Sequence, residues 1–255
     1  MISPLPSALL NLLPKYDVVI PCYNRAHVVT DAVESVLRQH HVPERVIVVD
    51  DGSADDSARV IAELASRDSR VEAVLLPRNG GASHARNAGA ALTRSTWIAF
   101  LDSDDLWLPG AAQALLGACA NNDVDIVVGH FCRTEAGEQP SPPECGWDGR
   151  DIQGALSTDG VIGPSWSIVR RETAFEVRGF DPSFHNCNDW DFYVRAGAAG
   201  ARFVRIEDTV ALYRTVPGPR LVRDVEIGRE NAARVLSHPY CAARSLGLGD
   251  LAYAS

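Results

Sequence analysis

The chain has 255 residues, 46% of them hydrophobic and 22% charged, with 20 Gly and 15 Pro. That is globular make-up, and it argues against a disordered, collagen-like or coiled-coil protein. At roughly 100–200 residues per domain it makes one large domain or one domain with an extension, able to bury roughly 70–75% of its unfolded surface without disulfides or a structural metal. The net charge of −9 has the wrong sign for a general nucleic-acid or anionic-membrane binder. A phosphorylated ligand would need a local device to hold it.

Residues 1–15 read as an N-terminal extension. Met1 to Pro6 lacks a basic region, and the apolar stretch Ala8 to Leu13 is interrupted at Asn11 and ended by Pro14, unlike a secretory signal. No apolar run approaches the 18 or so residues of a membrane helix. A cytoplasmic address is the expectation. The cysteines (Cys22, Cys119, Cys132, Cys145, Cys187, Cys241) show neither C-x-x-C nor zinc-ligand spacing and read as reduced thiols.

From residue 16 to 133, short β-branched runs alternate with amphipathic segments, the pattern of a parallel sheet covered by helices. The runs are 17–20, 46–49, 71–75, 97–101 and 125–128, each nearly all apolar, as strands buried on both faces are. Helical spacing appears in Val28, Val29, Ala32, Val33, Val36 and Leu37, and again in Ala58, Ile61, Leu64 and Ala65, where Ser53 and Asp56 resemble a capping box. Further helices are predicted over 83–93 and 110–121. Right-handed crossovers make this a doubly wound α/β sheet.

After Arg133, the stretch 135–149 reads as a surface excursion. Order returns with a strand at 167–169, a helix over 171–177, the punctuation Gly179-Phe180-Asp181-Pro182 and a helix over 188–199. Two strand-like pieces follow at 201–206 and 209–213, then helical spacing over 221–236.

In an open parallel sheet, ligands bind beyond the carboxyl ends of the strands. Those ends here carry Pro21-Cys22-Tyr23-Asn24, Asp50-Asp51-Gly52-Ser53, Pro77-Arg78-Asn79-Gly80-Gly81 and Asp102-Ser103-Asp104-Asp105. Several carboxylates this close repel unless a cation or hydrogen-bond donors offset them. Asp-x-Asp after a strand is either a solvated turn or a ligand for Mg²⁺ or Mn²⁺, which takes one or two carboxylates and fills its sphere with water and phosphates. A second acidic pair facing it across the sheet favours the metal. Asp51 can accept from a nucleobase or ribose, and Tyr23 can lie against a base. Arg86 and Asn87 follow a Gly-rich turn at a helix start, where the dipole and forked donors suit a diphosphate or sugar.

Together these segments resemble a family 2 glycosyltransferase of the GT-A fold: "VVIPCYNRAHVVTDAVESVLRQ", "VIVVDDGSADDS", "NGGASHARNAGAALTRSTWIAFLDSDDLW" and "IVRRETAFEVRGFDPSFHNCNDWDFYVRAG" occur in order. The resemblance implies an α/β, Rossmann-like, mostly parallel sheet flanked by helices. Residues 16–133 would be its nucleotide-sugar half, 134–220 an acceptor-side, catalytic subregion, and 221–255 a C-terminal helix and tail. It implies that Pro21, Tyr23, Asn24 and Asp51 hold the nucleoside, that Arg86 and Asp102 lie by the base, ribose or diphosphate, and that Asp104 or Asp105 holds the metal. Asp189 inherits the catalytic base, with Arg195 at its matching place, and Asn188 stands where the family usually has Glu. Trp166, Asn188, Trp190 and Arg195 would face the acceptor, although Trp166 beside a strand is as readily core, and Asp189 alone could simply favour a helix dipole. Arg214 or Arg220 would contact phosphate.

The implied activity is inverting transfer from a nucleoside diphosphate sugar, UDP first, with Mn²⁺ or Mg²⁺. The acceptor would be a saccharide, a lipid-linked saccharide reached by peripheral membrane contact, or a natural product. No nucleic-acid partner is expected, and 221–236 could serve a homodimer. A nucleotidyltransferase would use similar carboxylates but needs a basic Gly-rich loop after the first strand, which Pro21-Cys22-Tyr23-Asn24 is not. A non-catalytic nucleotide-sugar binder draws its support from Asn188.

Overall fold

Val and Ile are stiff at χ1 and fit a pleated surface. In the computed structural model, which describes residues 12–120, 123–135, 138–216 and 225–245, the Val/Ile-rich runs build most of one sheet. Its strands are β1 (Tyr16–Cys22), β2 (Arg45–Asp50), β3 (Val71–Leu75), β4 (Trp97–Phe100), β5 (Leu106–Trp107), β6 (Ile126–Glu135), β7 (Ser167–Arg170) and β8 (Phe203–Thr215). The described helices are α1 (Val29–Leu37), α2 (Ser57–Arg67), α3 (Ala82–Ala90), α4 (Ala111–Cys119), α5 (Ile152–Leu156), α6 (Arg171–Glu176), α7 (Asn188–Ala198), α8 (Val225–Leu236) and α9 (Pro239–Ser245).

The strand order is β3-β2-β1-β4-β7-β6-β8-β5. β3, β2, β1 and β4 run parallel, as do β6 and β8, whereas β7 is antiparallel to β4 and β6 and β5 to β8. Alternate residues feed different cores: Val18 and Ile20 pack with the apolar faces of α1, α2 and α4, and Val19 packs with that of α7. Val46, Ile47, Val48 and Val49 are fully buried, worth about 1.5–3 kcal/mol each before chain entropy is counted. Helix α3 comes close to the sheet because Gly89 has no side chain; a Cβ there would strike Val19 and Val49.

Several sequence expectations need correction. The pieces at 201–206 and 209–213 are one strand, because β8 pairs along β6 through register shifts beside Gly129, where Val210 and the Asp208 carbonyl leave no room for a Cβ. The two-residue β5 is too short to leave a periodic signal. The excursion after β6 folds back: Glu144 bridges Phe131, and Trp147 is buried in the second core. Ser53 does not cap α2, which begins at Ser57; its Oγ accepts the Asn24 N–H at 2.9 Å, and Asp55 takes the Ser57 N–H and hydroxyl. All six cysteines are free. Among the described residues no helix is long and apolar enough to cross a membrane.

Candidate functional site

Where β1 and β2 end, the chain turns tightly. Asn24 adopts a left-handed φ of 52°, and its Oδ1 accepts the backbone N–H of Ala54 at 2.8 Å and of Asp55 at 3.4 Å. The Asn24 carbonyl group of the side chain thus clamps the loop before α2 rather than presenting itself to a nucleoside. Pro21 is buried at the end of β1, while Tyr23 keeps its ring exposed. Buried Asp51 accepts the N–H groups of Gly80 and Gly81 at 2.9 and 2.7 Å, one on each oxygen. Between the two acids' turn and that loop the fit is close: Gly52 has φ +68°, and a Cβ on it would lie 2.5 Å from the Arg78 carbonyl carbon.

The three acids after β4 have three different partners. Asp102 Oδ1 accepts from Arg86 Nη2 at 2.6 Å. Asp104 Oδ2 accepts from Arg25 Nε and Nη2 at 3.3 and 3.2 Å. Asp105 is buried, and its oxygens accept the Ser165 hydroxyl at 2.6 Å and the Arg214 N–H at 3.0 Å. Burial pushes the Asp104 carboxyl above the usual range, the Asp102 charge adds to this, and Arg25 pulls it back. Asp105 is raised further by burial and by both neighbouring acids. Arginines and hydroxyls thus offset the mutual repulsion of the rim.

Helix α7 brings the acceptor side to this rim. Arg86 is buried on α3 and uses Nη1 to donate to Asn188 Oδ1 at 2.8 Å, so one guanidinium joins Asp102 to the first turn of α7. Burial works against the Arg86 charge, and Asp102 more than restores it, with Asp189 adding to the effect. Burial raises the Asp189 carboxyl, Arg86 and the Trp190 N–H lower it, and Asp102 raises it again. Asp189 therefore feels the charges of both Arg86 and Asp102.

Neighbouring Asn87 fastens the same junction. It donates to the Phe180 carbonyl at 2.7 Å and accepts the Phe180 N–H at 2.8 Å. Gly179, at φ +67°, lies against the Asn87 amide with no space for a Cβ. Arg86 and Asn87 thus face inward toward α7, rather than lying open at the α3 N-terminus. Arg195 pairs with Asp191 at 2.7 Å and donates to the carbonyls of Val177 and Gly179. It positions the turn and is not brought to the rim. Trp190 is buried with its indole N–H on the Leu156 carbonyl at 2.7 Å, also away from the rim. Trp166 stacks on Phe131 at 3.9 Å between ring centroids and packs against both main cores. Arg214 donates to the Asp104 carbonyl at 2.6 Å and to Asp31 at 2.9 Å, while its buried Nη2 has no partner among the described residues. Arg220 lies outside the described residues.

Sequence reasoning missed Ser165, whose hydroxyl accepts the Asp102 N–H at 3.2 Å while donating to Asp105. Pro164 at the start of a 3₁₀ turn (Pro164–Trp166) was the available signal. It also missed Arg25, which carries no pattern of its own.

As a cation site the rim is selective among its own acids. Asp102 and Asp104 keep 31% and 26% of their side chains accessible, and a hard divalent ion takes one or two such carboxylates. Asp105 is buried and each oxygen already accepts a hydrogen bond, so Asp104 is the more accessible of the two carboxylates expected to hold metal. Among the described residues no group of three or more His, Cys, Asp or Glu is arranged as a protein-only metal cage.

A Rossmann-like sheet continued by β7, β6 and β8, with an acidic loop at its rim and a second helix start across from it, defines a GT-A type glycosyltransferase fold. The same architecture occurs in S. aureus TarS residues 1–349 in complex with UDP-GlcNAc, with a TM-score of 0.71 and 19% identity over 88% of this chain and 67% of that one. Residues 17–172 match glycosyl transferase family 2, and the chain belongs to that family. Bacillus subtilis EpsJ, described as an uncharacterized glycosyltransferase, is 27% identical over 81% of this chain and 62% of its own length. The Rhizobium meliloti succinoglycan biosynthesis protein ExoO is 39% identical over 42% of this chain and 30% of its own. Escherichia coli chondroitin synthase is 25% identical over 91% of this chain and 33% of its own. The chain therefore spans less than two thirds of these relatives.

Proposed function

We propose that the chain is an inverting glycosyltransferase that moves a sugar from a nucleoside diphosphate sugar to an acceptor hydroxyl. The observation that supports this reading is the Arg86 bridge from Asp102 to Asn188, the residue next to Asp189 in the first turn of α7. UDP is the favoured nucleotide, since TarS, which shares the fold, has been crystallised with UDP and with UDP-GlcNAc. Saccharide acceptors are favoured by relatives such as chondroitin synthase and a glucosyltransferase acting on GlcNAc-diphosphoundecaprenol.

In this reading Tyr23 offers its exposed ring to the base, and Asp51, prealigned by Gly80 and Gly81, faces the base N–H. Asp104, with Asp102 beside it, would hold a divalent cation, and such an ion would offset charge on the departing diphosphate. Arg214, whose Nη2 has no partner among the described residues, is the donor expected to turn toward a phosphate. The acceptor oxygen attacks the anomeric carbon from the face opposite the nucleotide, Asp189 takes its proton, and the bond to the β-phosphate oxygen breaks with its electron pair leaving on the diphosphate. The configuration inverts. Asp189's raised proton affinity suits a base that must hold the proton it receives.

Incubation with UDP-sugars, Mn²⁺ and saccharide acceptors, followed by UDP release and NMR of the anomeric proton, tests this. Acceptor-dependent UDP release with inverted product is expected, and chelation should abolish it. UDP binding with no turnover on any donor–acceptor pair would favour a non-catalytic binder, and pyrophosphate release from a nucleoside triphosphate would favour a nucleotidyltransferase.

A further inference from the structure

Arg25 is the feature of the rim that this mechanism leaves unused. Its guanidinium is only 7% accessible, and two of its nitrogens converge on Asp104 Oδ2. Its backbone is fixed too, with its N–H on Ser57 Oγ at 2.9 Å, and its carbonyl starts α1 by accepting from Val28 and Val29. A cation so placed is neither a surface ornament nor part of the sheet's core. It takes up one oxygen of the carboxylate proposed to hold the divalent ion.

We propose that Arg25 is a tethered counter-ion that competes with the divalent cation for Asp104, so that the chain takes up metal together with the nucleotide diphosphate rather than before it. The inference rests on the reading that Asp104 is the metal carboxylate. Two cations cannot share one partly buried carboxylate without repulsion, and moving a buried guanidinium away from its carboxylate leaves its charge less compensated. A diphosphate arriving with the ion supplies the negative charge that lets Arg25 leave Asp104 and remain paired. If the free protein keeps Asp104 engaged by Arg25 about nine tenths of the time, metal affinity without nucleotide falls about tenfold. Linkage then requires UDP and metal to promote each other's binding by the same factor.

The test is Mn²⁺ titration of the full chain, followed by the EPR signal of free Mn²⁺, with and without UDP. It compares the wild type with Arg25→Gln, Arg25→Lys and Asp104→Asn, each first checked for folding by circular dichroism. Without UDP, Arg25→Gln should bind Mn²⁺ about tenfold more tightly than the wild type, and UDP should tighten it less. Arg25→Lys keeps the charge and should stay within about threefold of the wild type. Equal or weaker binding by Arg25→Gln, or a lysine variant that behaves like the glutamine one, overturns the proposal. So does a wild type that binds Mn²⁺ equally well with and without UDP, a result that needs no variant to fold. Asp104→Asn separates the two readings: if it leaves Mn²⁺ binding with UDP unchanged, the metal assignment itself fails. If it weakens binding while Arg25→Gln does not strengthen it, the competition alone fails.

Discussion

At the ends of β1 and β2 the polar groups of the rim are set by backbone partners on adjoining loops. Asp50 accepts from Ser53, Asn24 from Ala54, and Asp51 from Gly80 and Gly81. On the acceptor side, the helix start carrying Asp189 is placed by side chains far away in sequence. Arg86 meets Asn188 across 102 residues, and Asn87 meets Phe180 across 93. The donor side is a set of turns bonded to one another where the strands of one sheet end, whereas the acceptor side is docked onto it through two adjacent residues of α3. Changes to the docking pair should disturb chemistry more than nucleotide binding, and changes to the turns should do the reverse.

The largest expected effect comes from Asp189→Asn, which removes the proton acceptor and leaves the donor turns intact. Turnover should fall by roughly 10²–10⁴-fold while UDP affinity by calorimetry stays within a few fold; near-normal turnover would remove Asp189 from its role. Arg86→Ala leaves Asp102 and Asn188 without their shared partner. Losing the hydrogen bonds of this part-buried charged pair costs about 1–3 kcal/mol, so the denaturant midpoint should drop and transfer should be lost. An unchanged midpoint would mean that the two halves are held elsewhere.

Asn87→Ala deletes both hydrogen bonds to Phe180, an expected loss of about 1–3 kcal/mol. Because the Gly179–Phe180 turn leads into α7, kcat should fall more than UDP affinity does. An equal loss of both would erase the contrast between the halves. The smallest effect is a shift in the pH profile. Asp189 must be ionised to accept a proton, so activity should rise with pH through its raised pKa, with an acidic limb above the ordinary carboxylate value of about 3.9. Asn188→Glu places a second carboxylate beside it and should move that limb to higher pH, by up to roughly one unit. A limb that stays put or moves to lower pH would show that Glu pairs with Arg86 without reaching Asp189.

The first half was legible because its information is local. β-branched runs became β1 to β4, and the acidic and glycine-rich strand ends came together at one rim, since parallel strands in one layer end on the same side. The segments chosen by resemblance in the second half also formed α6 and α7. Less legible were the partners. Asp104 and Asp105 are neighbours in sequence, yet one faces the rim and the other is sealed under Ser165 and Arg214. Trp190 and Arg195, one and six residues beyond Asp189, turn to the Leu156 carbonyl and to the 177–179 turn, because successive helix positions point about 100° apart.

The amino-acid order by itself determined the α/β class, most of the strands, the family and the clustering of carboxylates at strand ends, since each depends on short-range periodicity or on a contiguous motif. Tertiary structure alone decided which cation stands beside each carboxylate, that β7 joins the two parts of the sheet antiparallel, and that Arg86 spans from Asp102 to Asn188. Those outcomes depend on side chains a hundred residues apart meeting in a space with little water, where a charge must find a partner, and no local pattern records who that partner is.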